Sequence, residues 1–272
     1  MTILEAILLG IVQGATEFLP ISSSGHTILI PDLFGLPEPG LILISIAHQG
    51  TLLAVLIYFW RDLWAILRGV LSGFWTRAPL ESADARLGWQ IAFGSIPIVI
   101  AGLTLEEFFE AIFATPLYAA GFLLVTSLLL VIGERLMSGH KELTKITWGD
   151  ALIVGFFQTV ALFPGISRSG STITGGLLRG LERDTAARFS FLLGIPAILG
   201  AGFLALLDIF EAGALGAQLP VYAATFLAAA VTGYASIHFL LTWLREHTLY
   251  LFAVYTAAFG LFYLLLALLG VV

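Results

Sequence analysis

Long, uninterrupted apolar runs decide what this chain can fold into. Six of them, roughly residues 41–60, 87–105, 117–136, 187–207, 221–243 and 249–270, each approach the ~20 residues a helix needs to cross a bilayer. Charge is correspondingly scarce: of 272 residues, 11% are charged and 59% hydrophobic, and the mean hydropathy is +1.00. A soluble domain carries about 25% charged residues, so this chain lacks the polar groups to cover a surface facing water. Disorder is excluded because there is ample apolar surface to bury. An outer-membrane barrel would show short alternating segments instead. These features predict an all-α polytopic membrane protein forming a single domain over residues 1–272. The absence of cysteine excludes disulfides and thiolate metal sites. A net charge of −6 argues against a nucleic-acid partner. Met1 to Glu5 lack the basic stretch of a cleaved signal, so the N-terminus is expected to be kept as structure.

Twelve basic residues are few enough to place one by one. Arg61, Arg68, Arg77 and Arg86 share one polar stretch, Arg135, Lys141 and Lys145 a second, Arg179, Arg183 and Arg188 a third, and Arg245 marks a fourth. Basic loops stay on the cytoplasmic side. The breaks at 106–115 and 208–219 hold no basic residue and go outside. Six crossings satisfy this alternation. Trp60, Trp64, Trp75, Trp89 and Trp148 gather near the inner loops, as an interfacial aromatic belt would.

Residues 2–31 and 150–178 do not read as ordinary spans. Gln13, Glu17, Pro20, three serines and His26 interrupt the first, and Gln158, Pro164, Gly165, Arg168 and more serines interrupt the second. Irregular backbone is tolerated at membrane depth only inside protein or beside a wet cavity. Both regions are therefore predicted to be re-entrant helix hairpins. They also resemble each other at an offset of 145: nine of the nineteen residues of 10–28 are identical in 155–173, most of them polar or glycine. With three helices after each hairpin, the chain reads as an inverted-topology repeat, repeat one about 1–136 and repeat two about 150–272. In such folds broken helices from both halves meet near the midplane, where the site lies.

Arg168 is the basic residue that no inner loop accounts for. An arginine at membrane depth costs roughly 2.5–3.5 kcal/mol on insertion scales, so it needs a partner or a purpose. Hydroxyls, glycines and an expected helix start at Ser171 surround it. A guanidinium fork beside a helix N-terminus suits a phosphate. At the matching break, Gln13 and Glu17 lie four apart on one helix face, and Ser22, Ser23, Ser24 and His26 follow Pro20. Glu17 can act as a base or hold a divalent cation through oxygen. His26 can exchange a proton near neutral pH, and a serine can act as a nucleophile if a base takes its proton. His48 and Gln49 inside the first span could line the same pocket or simply make helix contacts.

At these residues the chain resembles the undecaprenyl-diphosphate phosphatase family, also called the bacitracin-resistance protein family. One motif runs from Gln13 through Glu17 and Pro20 to His26; the other runs from Phe163 through Pro164, Gly165, Ser167, Arg168 and Ser169 to Thr172. The resemblance covers essentially the whole chain. It implies a bacterial inner-membrane enzyme that converts undecaprenyl diphosphate, and other polyprenyl diphosphates, to the monophosphate carrier for peptidoglycan synthesis, giving bacitracin resistance. It implies Glu17, Ser23, His26 and Arg168 as catalytic residues and Mg²⁺ or Ca²⁺ as a cofactor held by Glu17. The first acidic site of the box is Gln13 here, which supplies no charge, so the metal must lean on Glu17 and the diphosphate. Gln13, Ser22, Ser24, Ser167, Ser169 and Thr172 are expected to bind substrate. The attacking group is left open between Ser23, His26 and water, as are a homodimer and the side on which the site opens. The rival reading is a lipid flippase or secondary transporter using the same cavity, with Glu17 and His26 as proton-coupling groups.

Overall fold

The computed structural model describes residues 1–36, 39–113, 115–211 and 215–272, and among the described residues it forms twelve α-helices and one short 3-10 turn. In chain order they are α1 (Ile3–Phe18), α2 (Ser23–Leu33), α3 (Leu41–Tyr58), α4 (Trp60–Trp75), α5 (Ala83–Thr104), α6 (Glu106–Phe113) and α7 (Pro116–Leu136). There follow α8 (Trp148–Val160), α9 (Arg168–Leu178), α10 (Arg183–Glu211), α11 (Leu215–Trp243) and α12 (Tyr250–Leu268). Among the described residues six helices are long and apolar enough to cross a membrane: α3, α5, α7, α10 over Arg183–Phe203, α11 over Gln218–Trp243, and α12. They coincide with the six apolar runs. Exposed apolar side chains along them, among them Leu103, Leu128, Val231 and Val254, present the surface that lipid covers.

The two irregular regions are helix pairs whose members fall short of the ~20 residues of a span. Local chemistry sets their ends in parallel ways. Thr2 with Glu5 opens α1 as a capping box, and Thr147 with Asp150, 145 positions later, opens α8 as another. Pro20 forces Leu19 into extended backbone and stops α1. α2 and α9 are capped at their starts by Ser22 and Ser167, and both run out into a glycine at positive φ, Gly35 and Gly180.

Packing also crosses over between the halves. α1 lies against α11, and α8 lies against α5. Gly10 and Gly14 let α1 approach Thr225, Ala229 and Thr232, and Gly155, which answers to Gly10 in the repeat, lets α8 approach Gly94. A Cβ at any of these glycines would strike facing backbone or side chain. Close approach through small residues is how helices pack where lipid removes any hydrophobic drive between them.

Two amphipathic segments were read from sequence only as polar stretches. α4 carries Trp60, Trp64, Leu67, Leu71 and Trp75 on its exposed face, with Arg61 and Arg68 stacked over the Trp60 and Trp64 rings. α6 fills part of the break after α5. Short helices that lie along an interface lack the uninterrupted apolar run that marks a span.

The ends assigned to the inner side are tied by ion pairs. Glu134 of α7 receives two hydrogen bonds from Arg183 Nε and Nη2, the shortest at 2.6 Å, and one from the Leu249 backbone N–H at 2.8 Å. Asp150, fully buried, is held by Lys141 at 3.0 Å and by Arg179 at 2.8 Å. Burial alone would raise the Asp150 carboxyl, but hydrogen bonds from the Thr147 backbone, Lys141, the Thr147 hydroxyl and Arg179 outweigh it and hold the group below the usual aspartate value. The stability from this contact is present above that usual value and is lost as pH falls through the depressed one. Thermal unfolding in detergent should therefore show a melting temperature that drops below about pH 4. The acid-dependent part should shrink in Asp150→Asn; an unchanged acid slope would remove the latch from the account.

Candidate active site

The site is assembled where the two helix pairs break. The Ser22 hydroxyl accepts from Gly25 N–H at 3.2 Å and the Ser167 hydroxyl from Gly170 N–H at 3.1 Å. The tips then clasp each other. The Gly165 N–H donates to Ser24 Oγ at 3.2 Å, and Ser169 Oγ donates to the Leu19 carbonyl at 3.1 Å. Thr126 of α7 braces the second tip, donating to the Gly165 carbonyl at 2.9 Å and accepting from the Ser167 N–H at 3.0 Å. Pro20 answers to Gly165 and Leu19 to Pro164 in the repeat, so these ties are near mirror images. The N-termini of α2 and α9, and the partial positive charge they carry, are thereby brought together. Ser22 holds φ at 73°, a region costly for a residue with a Cβ and found mostly at functional tips.

The chemistry breaks the symmetry. Ser23 and Arg168 occupy the same position in the two repeats, the first residue of α2 and of α9. Both reach Glu17. Ser23 Oγ donates to Oε2 at 2.7 Å, and Arg168 Nη2 donates to Oε1 at 3.0 Å. Gln13 Nε2 adds a third bond to Oε2 at 3.0 Å. The residue matching Glu17 in the second repeat is Leu162, so one carboxylate serves both tips. Glu17 is buried and Arg168 mostly so, with 14% of its side chain exposed. Gly194 of α10 makes room for the guanidinium, since a Cβ there would collide with it. Arg168 begins α9 three residues ahead of the start expected at Ser171, which sets its side chain at the helix N-terminus.

Three buried polar atoms near this cluster find no protein partner: Arg168 Nη1, Gln13 Oε1 and Gln49 Nε2. Gln49 occupies space that Gly202 leaves open. His48 donates Nδ1–H to the Ile44 carbonyl at 2.9 Å, which leaves Nε2 facing Glu17 Oε2 at 3.7 Å. His48 thus flanks the cluster, and Gln49 packs against Gly202 of α10.

The other expected residues are placed less directly. Ser22, Ser24, Ser167 and Ser169 have their hydroxyls engaged in caps and in the clasp. Thr172 bonds back to the Arg168 carbonyl at 2.7 Å and shares a 2.5 Å bond with Ser190 of α10. Sequence pattern marks such hydroxyls as polar near a break, but does not tell a phosphate donor from a tie. His26 makes no hydrogen bond to Ser23. It donates Nδ1–H to the Ser22 carbonyl and meets Tyr255 of α12 through Nε2, each at 2.7 Å. Ser23 is therefore coupled to Glu17, not to His26. Tyr255, Thr126 and Gly194 escaped the sequence reading because each sits inside an ordinary span; only the Gly194-Ile195-Pro196 interruption in α10 was a visible signal.

Buried ion pairs are expensive to break. Arg168→Met should cost about 3–5 kcal/mol of unfolding free energy in detergent micelles by stranding Glu17, and adding Glu17→Gln should recover much of it. Independent, additive losses would show that the two groups do not depend on each other.

A model of the bacitracin resistance protein BacA family matches residues 6–262. The chain is 45% identical to the undecaprenyl-diphosphatase of Chloroherpeton thalassium, covering 99% of this chain and 98% of that one. It is 46% identical to that of Chlorobium phaeovibrioides, over 98% and 97% of the two chains. It is 45% identical to that of Thermomicrobium roseum, over 97% and 98%.

Proposed function

The chain belongs to the bacitracin resistance protein BacA family, and we propose from this and from the site that it is an undecaprenyl-diphosphatase, hydrolysing undecaprenyl diphosphate to undecaprenyl phosphate and inorganic phosphate. The observation that carries the reading is the convergence of Arg168, Ser23 and Gln13 on the single buried carboxylate of Glu17. The relatives it matches are named as diphosphatases, and no observation favours the transport reading in its own right. We extend the proposal to other polyprenyl diphosphates and to the bacterial inner membrane, with α1/α2 and α8/α9 as re-entrant hairpins of two inverted repeats. The polyprenyl tail lies among the span helices or in lipid.

Arg168 is suited to hold the diphosphate. Its Nη1 is free of protein partners, its Nη2 is held by Glu17, and it stands at a helix N-terminus. Ser23 already donates to Glu17, so the carboxylate can take the serine proton as Oγ attacks the terminal phosphorus and the anhydride P–O bond breaks to expel undecaprenyl phosphate, water then hydrolysing the phosphoserine to inorganic phosphate; a water attacking in that place gives the same products in one step. Catalysis rests mostly on positioning and on positive charge fixed in advance where negative charge builds up.

Among the described residues no group of three or more His, Cys, Asp or Glu side chains is gathered around a common point. The oxygens present are those of Glu17 and Ser23 and the unpartnered Gln13 Oε1. This set fits a hard cation such as Mg²⁺ or Ca²⁺ that shares most of its ligands with diphosphate and water. Glu17 and Gln13 would hold it, and it would neutralise phosphate charge.

Purified protein in detergent should release phosphate from undecaprenyl diphosphate, and a chelator should suppress the release. Glu17→Ala and Arg168→Ala should lose about 100-fold or more in turnover, and His26→Ala should also be impaired. Rapid turnover of Ser23→Ala would exclude serine as the obligatory nucleophile. Wild-type protein that releases no phosphate would overturn the reading.

A further inference from the structure

His26 is gripped by groups that neither the repeat nor the Glu17 cluster supplies. A carbonyl can only accept, so the 2.7 Å contact with Ser22 puts a proton on Nδ1, and in the neutral ring Nε2 then keeps its lone pair. Tyr255, 229 positions away in sequence, donates its hydroxyl to that lone pair at 2.7 Å. Its ring lies 6° from parallel with the imidazole, centroids 5.6 Å apart, and Phe259, one turn along α12, stacks at 4.8 Å. The imidazole is buried, whereas Tyr255 is 43% exposed. Protonation state, ring plane and ring position of His26 are therefore all set, and two of the three are set from α12.

His26 follows Ser23 by three residues on α2, so the two lie on neighbouring positions of one helix face. The matching residue of the second repeat, Ser171, spends its hydroxyl on the Phe157 carbonyl at 2.6 Å. The tyrosine contact is thus made only to the tip whose helix pair also holds Glu17, and Tyr255 reaches it from the other half. A neutral phenol brings a hydrogen bond to the site without another charge to desolvate.

We propose that Tyr255 is a positioning residue for the hydrolysis: while the Ser22 carbonyl holds the proton on Nδ1, the Tyr255 hydroxyl holds the unprotonated Nε2 in place beside the tip before substrate arrives. The inference rests on the diphosphatase reading. When the diphosphate enters, Nε2 exchanges its bond to the phenol for one to the reacting groups, and the freed Tyr255 O–H becomes a donor at the same edge of the site.

The test is Tyr255→Phe, which keeps the ring stack and removes one hydroxyl. Phosphate release from undecaprenyl diphosphate by the purified full chain should show kcat lowered about tenfold and KM within about twofold. In protein labelled with ¹⁵N-histidine, the Nε2 resonance of His26, assigned by its loss in His26→Gln, should move in Tyr255→Phe. Wild-type kcat in Tyr255→Phe overturns the proposal. So does a lowered kcat with an unmoved His26 resonance, because the loss then does not pass through His26. If the wild type releases no phosphate, the diphosphatase reading fails on that control, separately from the behaviour of Tyr255→Phe.

Discussion

One buried ion pair, Glu17 with Arg168, is what the rest of the structure has to accommodate. Neither charge is tolerable alone away from water, where Coulomb attraction and desolvation are both large. Each partner comes from a different half of the chain, so the pair forms only when the two helix breaks meet. The clasp of Ser24 and Ser169, the brace of Thr126 and the space left by Gly194 all serve that meeting. The pair is also a store of binding capacity. A diphosphate can take Arg168 over from Glu17 and release a carboxylate that already holds the serine proton by a hydrogen bond.

The sequence likeness at an offset of 145 suggests how a chain with few charges builds such a site. Duplicated features give the scaffold: the capping boxes, the serine caps, the glycines at helix ends and crossings. The differences give the chemistry. Ser23 faces Arg168 across the pseudo-symmetry, and Glu17 has only Leu162 as its mate. A symmetric site would place two carboxylates or two guanidiniums together and would repel itself. One acid, one cation and one hydroxyl make a neutral resting cluster that an anionic substrate can enter.

Much of this was legible in the sequence because membranes make polarity conspicuous. The six spans follow from hydropathy and the placement of twelve basic residues, and Arg168 stood out as the one that no inner loop explains. At the offset of 145, Ser22 and Ser167 both cap helices at the two breaks. Other features were hidden for physical reasons. Tyr255 sits in an apolar helix and looks like any interfacial aromatic until α12 folds beside α2. α4 alternates tryptophan with arginine, which reads as a loop when only continuous apolar runs are sought. The start of α9 at Arg168 was missed because Ser171 also looks like a cap, whereas Ser167 takes that role. Which hydroxyls tie the tips together and which stay free depends on geometry that residue type alone does not encode.

The central claim is that Arg168 acts as a fork holding phosphate, and not merely as a positive charge. The most direct test compares kcat/KM for phosphate release from undecaprenyl diphosphate in wild type and Arg168→Lys, with thermal unfolding measured on the same samples. Lysine keeps the charge next to Glu17 but loses the planar, two-pronged donor set. The expected result is a folded protein with a melting temperature near that of wild type and kcat/KM lowered about 100-fold. Wild-type kcat/KM in a folded Arg168→Lys protein would contradict the account.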